Sequence, residues 1–158
     1  MKLILKNKKL PDINLQDLKD GETFRFFKNK TLESSVIDDE IYMKLVGPKD
    51  ALSYVQLSGD CAVVKRYGPQ VGYKVKTRIK SYNVNKKDLL PLGAIEIGEI
   101  VSLYEGNKVF NDGIFMIGNN PLEKKLITLI DLSTGKSHQT SDSVLCAKHI
   151  TSLIIKGN

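Results

Sequence analysis

Leu18-Lys19-Asp20-Gly21-Glu22-Thr23-Phe24 is answered 77 residues later by Ile95-Glu96-Ile97-Gly98-Glu99-Ile100-Val101. Each stretch places a Gly-Glu turn directly before a β-branched or aromatic residue, the pattern of a chain turning into a strand. Working outward, Asp39-Glu40-Ile41-Tyr42-Met43 matches Asp112-Gly113-Ile114-Phe115-Met116 at an offset of 73, and Tyr54-Val55-Gln56-Leu57-Ser58 matches Leu129-Ile130-Asp131-Leu132-Ser133 at 75. Three matches in the same order, drifting only in turn-like segments, read as two diverged copies of one unit of about 65 residues.

Within each copy the pattern belongs to strands. Tyr54–Leu57 and Leu126–Leu132 are rich in apolar and β-branched residues and run into Ser-Gly or Ser-Thr-Gly turns. Asp38-Asp39-Glu40 and Asn111-Asp112-Gly113 sit where a hairpin is expected to reverse. No window of a dozen residues holds a 3.6-residue period, and Ile13–Leu18 promises a short turn at most. The expected fold is therefore all-β, built as two tandem diverged small β-barrel (SH3-like) or sandwich units. Residues 1–82 form the first unit with an N-terminal strand, 83–94 a connector punctuated by Pro91 and Gly93, and 95–158 the second unit.

The net charge of +6 is unevenly placed. Residues 1–80 hold 16 basic and 10 acidic side chains, whereas residues 81–158 hold 8 of each. Between Asp60 and Asp88 there are eight basic residues and no acidic one. Such asymmetry points to an anionic partner. Its densest part, Tyr73-Lys74-Val75-Lys76-Thr77-Arg78-Ile79-Lys80, alternates strictly. As one strand it would set Lys74, Lys76, Arg78 and Lys80 on one face, roughly 7 Å apart, comparable to successive phosphates of a nucleic-acid strand. Lys65 and Arg66 add charge, and Tyr67 and Tyr82 add faces for stacking. These eight residues are the candidate site for an anionic partner. A lysine row is equally the device that protects an exposed sheet edge from aggregation. The matching stretch of the second copy, Val144–Thr151, lacks the row.

No convergent acid, base and nucleophile emerges, so no catalytic residue is expected and the chain reads as a binding protein, not an enzyme. Ser137, His138 and Asp142 have hydrolase residue types but lie in a polar turn-like segment without a nucleophile elbow. Asp38, Asp39 and Glu40 suit a solvent-facing turn better than a cation site, and the histidines and cysteines have no zinc spacing. No metal or cofactor is expected. The opening Met1–Leu5 has an apolar run too short for a secretory signal, and no stretch approaches the roughly 18 apolar residues of a membrane span. Cytoplasmic location, no membrane partner, and free Cys61 and Cys146 follow as expectations.

The motifs resemble a unit carried by small accessory proteins of tailed bacteriophages, Leu-x-x-Gly-Asp/Glu-x-Phe, then Tyr-x-Lys, then x-x-Leu-x-Thr-Gly. The first copy supplies Leu18, Gly21, Glu22, Phe24, Tyr42, Lys44 and Leu57-Ser58-Gly59. The second supplies Ile95, Gly98, Glu99, Phe115 and Leu132-Ser133-Thr134-Gly135, with Ile117 where the lysine belongs. The resemblance implies a small β-barrel fold without catalytic residues. It further implies a phage protein acting in the host cytoplasm by blocking or sequestering a host factor, including a host defence component. The partner would be a host protein with an acidic surface or an anionic nucleotide signal. The alternative is a DNA- or RNA-binding module using the strand 73–80.

Overall fold

The computed structural model describes residues 13–30, 35–37, 40–83, 89–105, 108–120 and 125–155. The strand expected at Met1–Leu5, together with Asp38, Asp39, Lys86, Lys87 and Lys124, lies outside them.

The described chain is all-β, with two single-turn 3-10 segments, Leu15–Asp17 and Leu92–Ala94. The strands are β1 (Ile13–Asn14), β2 (Thr23–Lys30), β3 (Ser35–Ile37), β4 (Tyr42–Lys44), β5 (Ala51–Gln56), β6 (Val63–Tyr67), β7 (Val71–Val75) and β8 (Thr77–Asn83). They continue as β9 (Leu90–Pro91), β10 (Ile100–Glu105), β11 (Lys108–Gly118), β12 (Ile127–Asp131), β13 (Ser137–Thr140) and β14 (Leu145–Ile155). All named strand pairs are antiparallel.

Two sheets result. The first runs β1-β7-β2-β4-β5-β6, with β3 continuing the partnership of β2. The second runs β13-β12-β11-β10-β14-β8, with β9 against β14. Neither sheet closes into a barrel among the described strands, which corrects the small-barrel expectation. β6 and β13 end their ladders as open edges. Read from β9, the order β9-β14-β10-β11-β12-β13 matches β1-β7-β2-β4-β5-β6, with β11 standing for β3 and β4 together.

Local sequence explains most elements. Asn14 caps the first 3-10 turn by accepting from Gln16 N–H. Gly21 and Gly98 adopt φ of +85° and +88°, and a side chain there would be strained. Their N–H groups donate to Lys44 O at 2.8 Å and Ile117 O at 2.7 Å, fixing where β2 and β10 begin.

Asn111-Asp112-Gly113 does not make the expected hairpin. β11 runs through it, and the β10–β11 register slips there, from Val101↔Phe115 to Leu103↔Phe110. Five steps on β11 face two on β10, so the flexible tripeptide absorbs a bulge instead of a reversal.

Three apolar clusters hold the molecule. The first half contributes Leu15, Leu18, Phe24, Leu52 and Tyr54. The second contributes Leu92, Ile95, Val101, Leu103, Phe115, Ile117, Leu129 and Cys146. The third is shared: Met43, Leu45, Val55 and Cys61 meet Ile100, Met116 and Ile130. Backbone contacts reinforce this shared cluster. Ala62 forms a parallel bridge with Asn119, and Val46 N–H donates to Gly135 O at 3.0 Å. The chain also crosses between the sheets. β7 pairs with β2, but β8 pairs with β14 from Asn83↔His149 to Thr77↔Ile155. Leu90–Ala94, inside the expected connector, forms β9 and the second 3-10 turn, where Leu92 is fully buried.

Candidate functional site

The basic stretch 73–80 is not one strand. It breaks at Lys76, because Val75 pairs with Thr23 in the first sheet and Thr77 pairs with Ile155 in the second. Lys76 is the residue at which the chain changes sheets. The alternation nevertheless survives the break: Val75 is buried, while Lys74, Lys76, Arg78 and Lys80 are all exposed. The four exposed cations follow one another along β7, the Lys76 break and β8, a cationic rail in chain order.

The other candidates lie apart from the rail. Lys65, Arg66 and Tyr67 belong to β6, which β2, β4 and β5 separate from β7 in the hydrogen-bonded order. Tyr67 is 67% exposed. Arg66 is occupied in packing, its guanidinium carbon 5.1 Å from the Phe26 ring centre and 5.8 Å from that of Tyr54. That cation–π contact caps an aromatic cluster of Phe24, Phe26, Tyr42 and Tyr54. Tyr82 lies on β8 opposite Ile150, and its side chain is outside the described residues. The structure therefore brings Lys74 and Lys76 together, with Arg78 and Lys80 following on β8 of the other sheet, and places Lys65, Arg66 and Tyr67 on β6 at the far end of the first sheet.

At the Lys76 break a cavity of about 280 Å³ opens between the Gly21–Thr23 segment and the Lys74–Thr77 segment. Lys74 Nζ lies 2.5 Å from Glu22 Oε1, and Lys19 N–H donates to Glu22 Oε2 at 3.0 Å. Burial raises the Glu22 pKa, but the hydrogen bonds and positive charges of Lys74 and Lys19 outweigh it and hold the carboxyl below its ordinary value. Thr23 Oγ1 donates to Val75 O at 2.6 Å and lies 2.9 Å from Thr77 Oγ1. The sequence pattern singled out Lys74 and Lys76 but missed Glu22, Thr23 and Thr77. The only signal for these was the Gly21-Glu22 turn, read for its fold alone.

The second half carries the corresponding ion pair, Lys148 with Glu99. The register of β2 on β7 and of β10 on β14 aligns Thr23 with Ile100, Val75 with His149 and Lys76 with Ile150. The hydroxyl and the central ammonium thus have no counterparts there. His149 is bound to Ser102 Oγ at 2.6 Å, and burial lowers its pKa. Ser102 is itself buried in the middle of β10. Ser137 and His138 lie on the exposed edge strand β13, where the His138 ring meets Phe115 edge-on at 6.3 Å. Glu40 accepts a hydrogen bond from Ser58. Among the described residues no three His, Cys, Asp or Glu side chains are grouped to hold a metal ion, and no helix is long and apolar enough to cross a membrane.

No family model matches the chain, and neither a curated protein nor a solved structure matches it significantly.

Proposed function

We propose that the chain is a non-catalytic binding protein whose cationic rail, Lys74, Lys76, Arg78 and Lys80, receives an anionic partner. The observation that carries this reading is that all four cations are exposed although the strand beneath them changes sheets at Lys76. A run of like charges on successive strands raises the local potential, so it accelerates encounter with an anion and selects for one. The resemblance to phage accessory proteins supports a host factor as the partner, either an acidic protein surface or a nucleotide signal, that is blocked or sequestered in the host cytoplasm. The shared strand order supports reading the two halves as diverged copies, of which the first kept or gained the cations.

A second reading is a nucleic-acid-binding module. Alternate residues of a strand lie roughly 7 Å apart, which suits a phosphate backbone. The rail is the same in both readings, and the partner distinguishes them.

The test replaces all four cations with Gln and measures binding to an acidic peptide and to a single-stranded oligonucleotide at several salt concentrations. Folding should survive, because the side chains are exposed. Wild-type binding should weaken steeply with salt, and the variant should lose most of that dependence. The exposed Lys125 and Lys136 of the second half, replaced together, serve as the control. If the quadruple variant binds both probes as tightly as wild type, the rail is only a protected edge.

A further inference from the structure

Counting donors and acceptors at the Lys76 break says more about the ligand than the charge does. A threonine hydroxyl has one proton. Thr23 spends its proton on Val75 O, so in the 2.9 Å contact between the two hydroxyls Thr77 is the donor. Thr77 Oγ1, on a residue that lines the cavity, then has lone pairs and no proton left to offer a ligand. Glu22 is likewise an acceptor: each carboxylate oxygen takes one hydrogen bond, from Lys74 and from Lys19 N–H, and keeps a further lone pair. The same cavity is lined by Lys76, which makes no hydrogen bond or ion pair among the described residues, and by Lys74 with its remaining protons.

The cavity therefore offers ammonium groups to an anion and acceptor oxygens to hydrogen-bond donors. A bare phosphate meets the first demand and is repelled by the second. A neutral sugar meets only the second. We infer that the cavity between Gly21–Thr23 and Lys74–Thr77 is a binding site for a phosphorylated sugar, its phosphate on Lys76 and Lys74 and its hydroxyls donating to Thr77 and Glu22. A cavity of about 280 Å³ accommodates a group of that size. Among the described residues no aromatic side chain lines it, so these residues offer a base attached to the sugar no stacking face. The corresponding position of the second half does not repeat the site, because Ile100 and Ile150 hold the positions of Thr23 and Lys76 there. This inference rests on the reading of the rail as a binding surface and names the ligand that its central cation takes.

The experiment titrates the labelled full chain with ribose 5-phosphate, inorganic phosphate and ribose, following backbone amide shifts. Ribose 5-phosphate should produce saturable shifts confined to Gly21–Thr23 and Lys74–Thr77, with an affinity at least about tenfold above that of inorganic phosphate, and ribose alone should produce none. Lys76→Gln should weaken ribose 5-phosphate by about tenfold. Thr77→Val, nearly isosteric, should weaken ribose 5-phosphate while leaving inorganic phosphate unchanged, and an otherwise unaltered amide spectrum verifies its fold. Equal affinity for the two phosphates, or no saturable shift in these segments, overturns the site. Retention on a heparin column separates the two levels. A wild-type chain that is retained but shows no ribose 5-phosphate shift loses the sugar-phosphate site and keeps the rail, whereas a chain that does neither loses both.

Discussion

Cys61 and Gly135 hold the same turn position in the two halves, and each hands its carbonyl to the opposite half. Cys61 O accepts from Asn119 N–H at 2.9 Å, and Gly135 O accepts from Val46 N–H at 3.0 Å. Cys61 has φ of +48°, alone among the described non-glycine residues, and Gly135 has φ of +72°. The exchange is reciprocal: the β5–β6 turn sits beside Gly98, and the β12–β13 turn sits beside Gly21. The same relation governs the crossing strands. The offset of 74 that aligns β7 with β14 makes Leu153 the counterpart of Ile79, and those two residues pair with each other.

Gly135→Ala tests this docking. A Cβ there would stand 2.6 Å from both Gly21 N and Lys44 O, which are backbone atoms of the other half, at a φ that disfavours any side chain. The variant should lose roughly 2–4 kcal/mol of stability in urea unfolding. Gly68→Ala has the same handedness problem at φ of +80° but meets nothing within 4 Å, so it should lose only about 1 kcal/mol. Equal losses would mean that the turn does not dock as described.

Phe24→Ala should cost about 3–5 kcal/mol by the same measurement. Phe24 is fully buried, stacked on Tyr42 with ring centres 5.7 Å apart and edge-on to Phe26 at 5.2 Å. Val101→Ala, at the matching position of β10, removes less volume and should cost less. A smaller loss for Phe24 than for Val101 would contradict the aromatic cluster as the core of the first half.

The two thiols should be inert in the folded chain. Burial raises the Cys146 pKa to about 11, with Glu99 adding to the rise, and raises that of Cys61, with Asp60 adding. At neutral pH both stay protonated and out of reach of a thiol reagent. Unfolding without reductant should release two reactive thiols per chain, since both cysteines are free. Fewer than two would reveal a disulfide.

Acidification should destabilise the chain in two steps. Burial depresses the His149 pKa below its ordinary 6.5 in the folded state, so the unfolded chain takes up the proton more readily. The contribution of neutral His149 is fully present above 6.5 and is lost as the pH falls through the folded value. Glu22 and Asp131 are also depressed, from 4.5 and 3.8, by hydrogen bonds that outweigh their burial. Their contributions disappear at lower pH still. Unfolding midpoints measured across this range should fall in both windows, and His149→Gln should flatten only the upper one. An unchanged upper slope in that variant would assign it to other groups.

Strands were legible where the sequence alternates or concentrates apolar residues. β12 falls within the expected Leu126–Leu132, β5 overlaps the expected Tyr54–Leu57 only from Tyr54 to Gln56 and begins earlier, at Ala51, and the 3-10 turn at Leu15–Asp17 lies inside Ile13–Leu18. The hairpin expected at Asn111–Gly113 was not legible, because the same residue types that permit a reversal also permit a bulge, and only the β10 partner decides between them. For the site, the exposure of Lys74, Lys76, Arg78 and Lys80 followed from period-two alternation. The separation of Lys65, Arg66 and Tyr67 from them did not, because strands close in sequence need not be neighbours in a sheet.

The sequence by itself determined that the chain is all-β, that its positive charge is concentrated before residue 88, and that Lys74, Lys76, Arg78 and Lys80 occupy alternate positions of one basic stretch. These are local properties, set by side-chain periodicity and composition within a few residues. Only the tertiary structure decided that the strand beneath the cations changes sheets at Lys76, that the two halves exchange turns about a common core, and that Glu22, Thr23 and Thr77 meet Lys76 at one cavity. Each of those depends on which distant segments satisfy the backbone hydrogen bonds of β7, β8 and β14. Pairings between residues some 50 to 80 positions apart leave no periodic trace in the amino acids that make them.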